Sequence, residues 1–153
     1  MKFTLATASS FIAAALAASL PESFTLVADG GNTVLTDGTH AIVDASQAHT
    51  QEILRLQSGG NGAITYTRQG SPPTAWQNLY VIKDSAEPIA LTIPHSGATP
   101  DGAELTGFGV TDDGFLTFNG ETSFGLSADN KEIYYLGKDS DVPKVSLWVK
   151  ELK

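Results

Sequence analysis

Cysteine is absent from all 153 residues of the chain. Small extracellular domains usually depend on disulfides, and structural zinc sites usually contain cysteine thiolates. Both kinds of cross-link are therefore excluded, and the hydrophobic core must stabilise the fold by itself. The roughly 135 residues that remain without the signal peptide predicted below can bury enough surface for that.

Motifs that mark common catalytic and metal sites are also missing. The sequence has no G-x-S-x-G nucleophile elbow, no H-E-x-x-H pair and no EF-hand loop. His40, Asp44 and His49 follow no established metal-ligand spacing. His95 and Ser96 are sequence neighbours, a relation that does not place an imidazole on the adjacent hydroxyl. We therefore expect a protein that is not an enzyme and that carries no cofactor and no metal.

Basic residues are scarce, since nine Lys and Arg residues stand against seventeen Asp and Glu residues. The acidic residues are spread along the chain, as on an ordinary solvated surface. Such a surface repels nucleic-acid phosphates and anionic membranes. Neither is expected as a partner.

The chain has one apolar run, residues 11–18. Lys2 precedes it and small residues around Ala17 follow, a pattern typical of a secretory signal peptide. The run is too short to cross a bilayer. We predict a signal peptide over residues 1–19 and one secreted domain over residues 20–153, with no membrane contact in the mature form. Loss of Lys2 leaves eight basic residues and a net charge of −9.

Helical periodicity is missing over any three turns, whereas short β patterns separated by turn residues recur. Residues 51–57 are left open between helix and strand. The predicted strands are 24–28, 33–36, 41–43, 63–67, 79–82, 89–93, 108–111, 115–118, 122–126, 133–136 and 145–149. The chain is thus predicted to be a single compact all-β domain of about a dozen short strands.

A weak internal repeat bears on the architecture. Phe24 and Phe108 begin similar segments 84 positions apart, twice a period near 42. Three such units of short strands favour a β-trefoil, and a two-sheet β-sandwich is the alternative.

The stretch from residue 94 onward reads as a loop followed by hairpins. Two prolines and two glycines within residues 94–102 exclude a helix or a regular ladder there. Asn119-Gly120 predicts a two-residue type I′ turn, because both of its central residues need a positive φ. Leu116 and Phe118 are expected to pair with Phe124 and Leu126 in a meander.

The same stretch carries the spacing His-Ser-x3-Pro-x-Gly-x5-Phe, followed by a glycine-rich hairpin. The residues concerned are His95, Ser96, Pro100, Gly102 and Phe108, then Leu116, Phe118, Gly120 and Phe124. Over roughly residues 90–137 this pattern resembles the small secreted fungal cell-wall proteins of the PhiA type, which include mould allergens and proteins of spore-forming structures. The resemblance implies a non-enzymatic wall protein linked to asexual sporulation and wall integrity. Family members usually carry cysteines, so any family disulfide is absent here.

The expected partner is cell-wall polysaccharide or another wall protein. Aromatic residues outside this motif favour a polysaccharide, since an aromatic face suits the apolar face of a pyranose. The candidate glycan contacts are Trp76, Tyr80, Tyr134 and Trp148. Trp76 follows Pro72-Pro73 and is expected to be the more exposed tryptophan. A carbohydrate-binding module or lectin is therefore one alternative function. A secreted protease inhibitor acting through the loop of residues 69–74 is another.

Overall fold

Strands only two to six residues long make up the fold. The computed structural model describes residues 19–47, 49–59, 61–82, 86–95, 99–136 and 141–152. Helix within these residues is limited to two 3-10 turns, Ala45–Gln47 and Pro73–Ala75. The strands are β1 Ser23–Ala28, β2 Asn32–Thr33, β3 Leu35–Thr36, β4 Ala41–Ile42, β5 Glu52–Ile53, β6 Leu56–Ser58, β7 Ile64–Tyr66, β8 Gln77–Ile82, β9 Glu87–Pro88, β10 Ala90–Leu91, β11 Ala103–Glu104, β12 Phe108–Val110, β13 Leu116–Phe118, β14 Phe124–Leu126, β15 Ile133–Tyr135 and β16 Leu147–Glu151. The predicted all-β class is confirmed.

Six strands form a closed ring, which we call the strand ring. β1 pairs with β16 on one side and with β6 on the other, and β6 pairs with β7, all antiparallel. Ala63, just before β7, forms a bridge to Thr106, from which the chain enters β12. β12 pairs with β13. Phe115 precedes β13 and forms a bridge to Trp148 on β16, which completes the ring.

Three further strand pairs lie outside the strand ring: β3 with β4, β8 with β10, and β14 with β15. They contact one another around a closed path. His40 beside β4 bridges to Ala90 on β10, Ile42 on β4 bridges to Glu132, and β9, which lies between β8 and β10 in the chain, pairs with β15. The three pairs therefore support one another.

The core fills the space between the strand ring and these pairs. Its largest fully buried side chains are Tyr66, Phe24, Phe118, Phe124, Leu26, Leu54, Leu56, Ile64, Leu79, Ile89, Leu116 and Ile133. Aromatic contacts join the parts: Phe118 lies edge-on to Phe108 at 5.0 Å and to Tyr135 at 5.3 Å between ring centroids. Tyr135 meets Phe124 at 5.8 Å. Edge-to-face pairs of this kind add to the free energy gained from burial.

The predicted meander is wrong in its pairing. Phe118 returns only to Glu121 through a bridge, and β14 pairs with β15 instead of β13. Gly125 on β14 also bridges to Lys144, since the last part of the chain folds back beside it. Leu116, Phe118 and Phe124 thus share the core without being ladder partners.

Other differences from the predicted strands are small. Residues 51–57 contain two strands, β5 and β6, and the predicted strand 33–36 is split at Val34 between β2 and β3. β11 was not predicted, because its residues follow the proline-rich loop and it pairs only with β8. The predicted signal peptide lies outside the described residues except for Ser19. None of the described helices is long and apolar enough to span a membrane.

The predicted turn at Asn119-Gly120 is confirmed. Asn119 has φ 51° and Gly120 φ 81°, and the Phe118 and Glu121 backbones exchange hydrogen bonds of 2.9 and 3.1 Å. This is the geometry of a two-residue type I′ turn. Space around Gly120 is open, so only the backbone conformation demands glycine there.

Replacing Gly120 with valine should therefore destabilise the fold by about 1–3 kcal/mol, because a β-branched residue is strained at positive φ. Urea unfolding followed by circular dichroism measures the change. Gly120→Asn is the matched control and should cost clearly less, since asparagine tolerates this conformation. Equal stability of Gly120→Val and the native chain would contradict the assignment of the turn.

Candidate functional site

Strands β1, β6, β7 and β8 pair in that order within one sheet, and a row of polar residues crosses the outer face of these four strands. Ser23 on β1 pairs with Gln57 on β6, Gln57 with Thr65 on β7, and Thr65 with Asn78 on β8. Cross-strand partners project to the same face, so these four side chains stand side by side. We call this set the polar row.

A second row runs parallel to the polar row. Its residues flank the strands on one side, just before β6, just after β7 and just before β8. Arg55, Thr67 and Trp76 are displaced by two positions from Gln57, Thr65 and Asn78, and strand alternation places them on the same outer face. Trp76 is 51% exposed, and Arg55 is also exposed.

The opposite face of the same strands is fully buried. Leu56, Tyr66 and Leu79 alternate with the polar residues and have exposures of 0–2%. A slip of one residue in any strand would move these apolar side chains into water. The core therefore fixes the register that aligns the polar row.

Together the two rows form the floor of an open cleft of about 640 Å³. One wall comes from the loop that precedes β8, through Ser71 and Pro73, and the other end is bounded by Leu152. None of the described residues that line the cleft is acidic. We call it the Trp76 cleft.

The polar groups of this cleft have spare hydrogen-bonding capacity. Side chains of Gln57, Thr65, Thr67 and Asn78 make no hydrogen bond to any other described residue, whereas the Asn78 backbone N–H donates to Thr92 Oγ1 at 2.8 Å. Amides and hydroxyls both donate and accept. A bound molecule with many hydroxyl groups would find matching partners along the whole row.

The wall loop is anchored by Glu52. Its Oε2 atom accepts hydrogen bonds from the Tyr66 hydroxyl at 2.7 Å and from the Gln69 N–H at 3.0 Å, and Arg68 Nε lies 3.6 Å from Oε1. Burial, together with the Glu52 carboxylate, raises the pKa of Tyr66, so the hydroxyl remains a donor. The loop 69–74, considered above as an inhibitor loop, is thus held in place as a side of the cleft.

The other predicted glycan contacts do not join Trp76. Tyr80 lines a separate depression of about 390 Å³ that also includes His40 and Pro100. Tyr134 lies on β15, where its hydroxyl accepts a hydrogen bond of 3.4 Å from Asn130 Nδ2. The four aromatic residues therefore do not form one platform.

Trp148 is nearly as exposed as Trp76, at 47%, but its surroundings differ. Its aromatic ring packs on Phe115 with 4.5 Å between centroids, and the next residue, Val149, donates its N–H to the Gly114 carbonyl at 2.8 Å. It closes the strand ring on a different part of the surface, because its partners on β1 and before β13 are not cleft residues.

The motif that begins at His95 and ends at Phe108 contributes an exposed loop, a turn and one core residue. His95 is exposed and has φ 62°, and its side chain makes no hydrogen bond to a described residue. Pro100 accepts the Ala103 N–H in a turn that contains Gly102 at φ 82°, and Phe108 is buried. Ser96 lies outside the described residues.

The histidines and acidic residues considered as metal ligands have other neighbours. His40 Nδ1 lies 3.7 Å from Glu132 Oε2, and Asp44 Oδ1 accepts hydrogen bonds from the Ser46 N–H and hydroxyl. Among the residues that the structure describes, no three His, Asp or Glu side chains are grouped to hold a metal ion.

Sequence reasoning singled out Trp76 but not the polar row beside it. Ser23, Gln57, Thr65 and Asn78 lie in four different strands, and each is an ordinary outward-facing polar residue in its own segment. Alternation along residues 77–82 indicates that Asn78 faces outward, but only strand register shows which residues stand next to it. Comparison with known proteins identifies no further residue of the candidate site, because no family model, no curated protein and no solved structure matches the chain.

The Glu52 anchor predicts a stability that depends on pH. Burial alone would raise the pKa of Glu52, but the bonds from Gln69 and Tyr66 and the charge of Arg68 prevail and lower it below the ordinary 4.5. Because the pKa of Glu52 is lower in the folded state than in the unfolded state, the stabilisation is fully present above the unfolded value of 4.5. It is lost as the pH falls from there through the lowered pKa.

We therefore expect Glu52→Gln to lower the melting temperature by about 2–4 °C at neutral pH, with a difference from the native chain that shrinks as the pH falls from neutral through the lowered pKa of Glu52. Melting curves by circular dichroism across this range measure both effects. Glu151→Gln alters an exposed carboxylate on β16 and should follow the native curve. A melting temperature of Glu52→Gln equal to the native value at neutral pH would show that the anchor contributes nothing.

Proposed function

We propose that this protein is a non-enzymatic secreted cell-wall protein that remains in the wall by binding polysaccharide in the Trp76 cleft. The observation that carries the proposal is a half-exposed tryptophan that ends the second row and lies beside the polar row. The indole face would pack on the apolar face of a sugar, and the row of amides and hydroxyls would bind its hydroxyl groups.

The chemistry of the cleft supports binding without hydrolysis. Glycosidases ordinarily place two carboxyl groups on either side of the scissile bond. The described residues lining the Trp76 cleft include no Asp and no Glu. Glu52, which anchors the wall loop, is engaged by Tyr66, Gln69 and Arg68.

The finer architecture that we infer is a β-trefoil. The closed ring of six strands, with three strand pairs in mutual contact beside it, supports this assignment over two facing sheets. The fold itself carries no function, so the argument for polysaccharide rests on the cleft alone.

Secretion and the cell wall enter the proposal from the sequence. Residues 1–19 have the pattern of a signal peptide, and residues 90–137 resemble the PhiA-type wall proteins. The long ligand and the open cleft suit such a location, because a polymer with many equivalent segments can retain a weakly binding protein through repeated rebinding.

Trp76→Ala tests the proposal directly. Binding of the mature protein to isolated fungal walls and to purified glucan, chitin and acidic polysaccharides is measured by co-sedimentation and by calorimetry. We expect Trp76→Ala to weaken binding about three- to tenfold, because the stacking contribution is lost.

Trp148→Ala is the matched control, since it removes an equally exposed tryptophan outside the cleft. It should bind as the native protein does at temperatures where both are folded. Unchanged binding by Trp76→Ala, or equal losses in the two variants, would contradict the cleft as the binding site. Absence of binding to every wall polysaccharide would overturn the proposed function.

A further inference from the structure

The Trp76 cleft differs in charge from the rest of the molecule. The chain has seventeen acidic residues and a net charge of −8, yet the described residues lining this cleft include no carboxylate. One of them is charged, and it is Arg55. The cleft is therefore a locally cationic site on an acidic protein.

Arg55 has no carboxylate partner. The other arginine, Arg68, lies 3.6 Å from Glu52, whereas no described acidic residue lies within 4.0 Å of the Arg55 guanidinium. Arg55 also borders the neighbouring groove that contains Glu52 and His49, but the Glu52 carboxylate there is engaged by Tyr66, Gln69 and Arg68. The guanidinium is thus free to bind an anion.

The distance from Arg55 to Trp76 suits two parts of one extended ligand. Arg55 precedes β6, Thr67 follows β7 and Trp76 precedes β8, so two strand spacings separate the arginine from the tryptophan. This corresponds to about 10 Å between their backbones. A sugar packed on Trp76 would leave a neighbouring sugar of the same chain near Arg55.

We propose that the Trp76 cleft selects sugar chains that carry an anionic substituent, a carboxylate in the first place, and that Arg55 binds this group. The inference rests on the proposed function and names the class of polysaccharide. A guanidinium presents parallel N–H donors that match a carboxylate in a bidentate arrangement. The hydroxyls and amides of the polar row bind the neutral remainder of the chain.

The charge of the whole protein narrows the ligand further. A densely charged polyanion would be repelled by the acidic surface around the cleft. A single anionic group on an otherwise neutral chain meets Arg55, the one charged residue among the described residues that line the cleft, while more distant charges are screened. The favoured ligand is therefore a sparsely charged acidic polysaccharide.

The test compares two oligosaccharides that differ in one group. The first is a tetrasaccharide containing one glucuronic acid, and the second is the same compound after reduction of the carboxyl group to the alcohol. Isothermal titration calorimetry with the mature protein gives the ratio of the two affinities. We expect the acid to bind about three- to tenfold more tightly, and the ratio to shrink as salt is added.

Arg55→Gln should reduce this ratio to about one, because the affinity for the acid falls by more than the affinity for the reduced compound. Arg68→Gln is the matched control, because Arg68 is outside the cleft, and it should keep the native ratio. A third probe, the reduced tetrasaccharide carrying one sulfate ester, shows whether a sulfate is accepted as well as a carboxylate. Binding as tight as that of the acid supports a general anion site, and weaker binding supports carboxylate selection.

The outcomes separate this inference from the proposed function. Equal affinity of the native protein for the two compounds, or an unchanged ratio in Arg55→Gln, overturns the selection for anionic sugars and leaves polysaccharide binding intact. Failure of both compounds and of all wall polysaccharides to bind overturns the two proposals together. Preference for the acid that is lost in Arg55→Gln and kept in Arg68→Gln supports the inference.

Discussion

The pairing of β1 with β16 is the interaction on which the rest of the structure depends. Five residue pairs join the two strands, from Phe24 opposite Glu151 to Ala28 opposite Leu147, and β1 also pairs with β2 and β6. Without cysteine, this ladder and the core behind it hold the strands near the two ends of the described chain together. Because loop-closure entropy rises only slowly with loop length, such a long-range ladder is sustainable once it is backed by buried side chains. Leu26 and Leu147, with exposures of 0 and 1%, supply that backing.

The same constraint produces the candidate site. Each strand that contributes to the polar row has an apolar side that the core requires, and the alternation of a strand then fixes what faces outward. Leu56, Tyr66 and Leu79 lock the register from inside, so Gln57, Thr65 and Asn78 stand in line outside. Tyr66 also reaches Glu52, which anchors the wall loop. Core packing, strand register and the shape of the cleft are therefore coupled through the same few side chains.

Exposure alone does not distinguish the two tryptophans. Trp76 and Trp148 are 51% and 47% exposed, and Trp76 lies in a cleft whose polar side chains have unused hydrogen-bonding capacity. Trp148 contacts Phe115 and completes the strand ring. Polar groups placed beside an aromatic ring fix the orientation of a bound molecule, which the ring alone does not. The proposed difference in role between the two tryptophans therefore rests on their neighbours.

Local features of the fold were predictable from the sequence by itself. The all-β class, most of the strands and the Asn119-Gly120 turn follow from residue alternation and from the backbone preferences of a few residues. The exposure of Trp76 follows from the prolines before it. Tertiary structure alone decided which strands pair, and so it separated β13 from β14, added β11 and brought the polar row together. The reason is physical: turn type and alternation are set by neighbours in the chain, whereas pairing and register between distant segments are set by how the whole core packs.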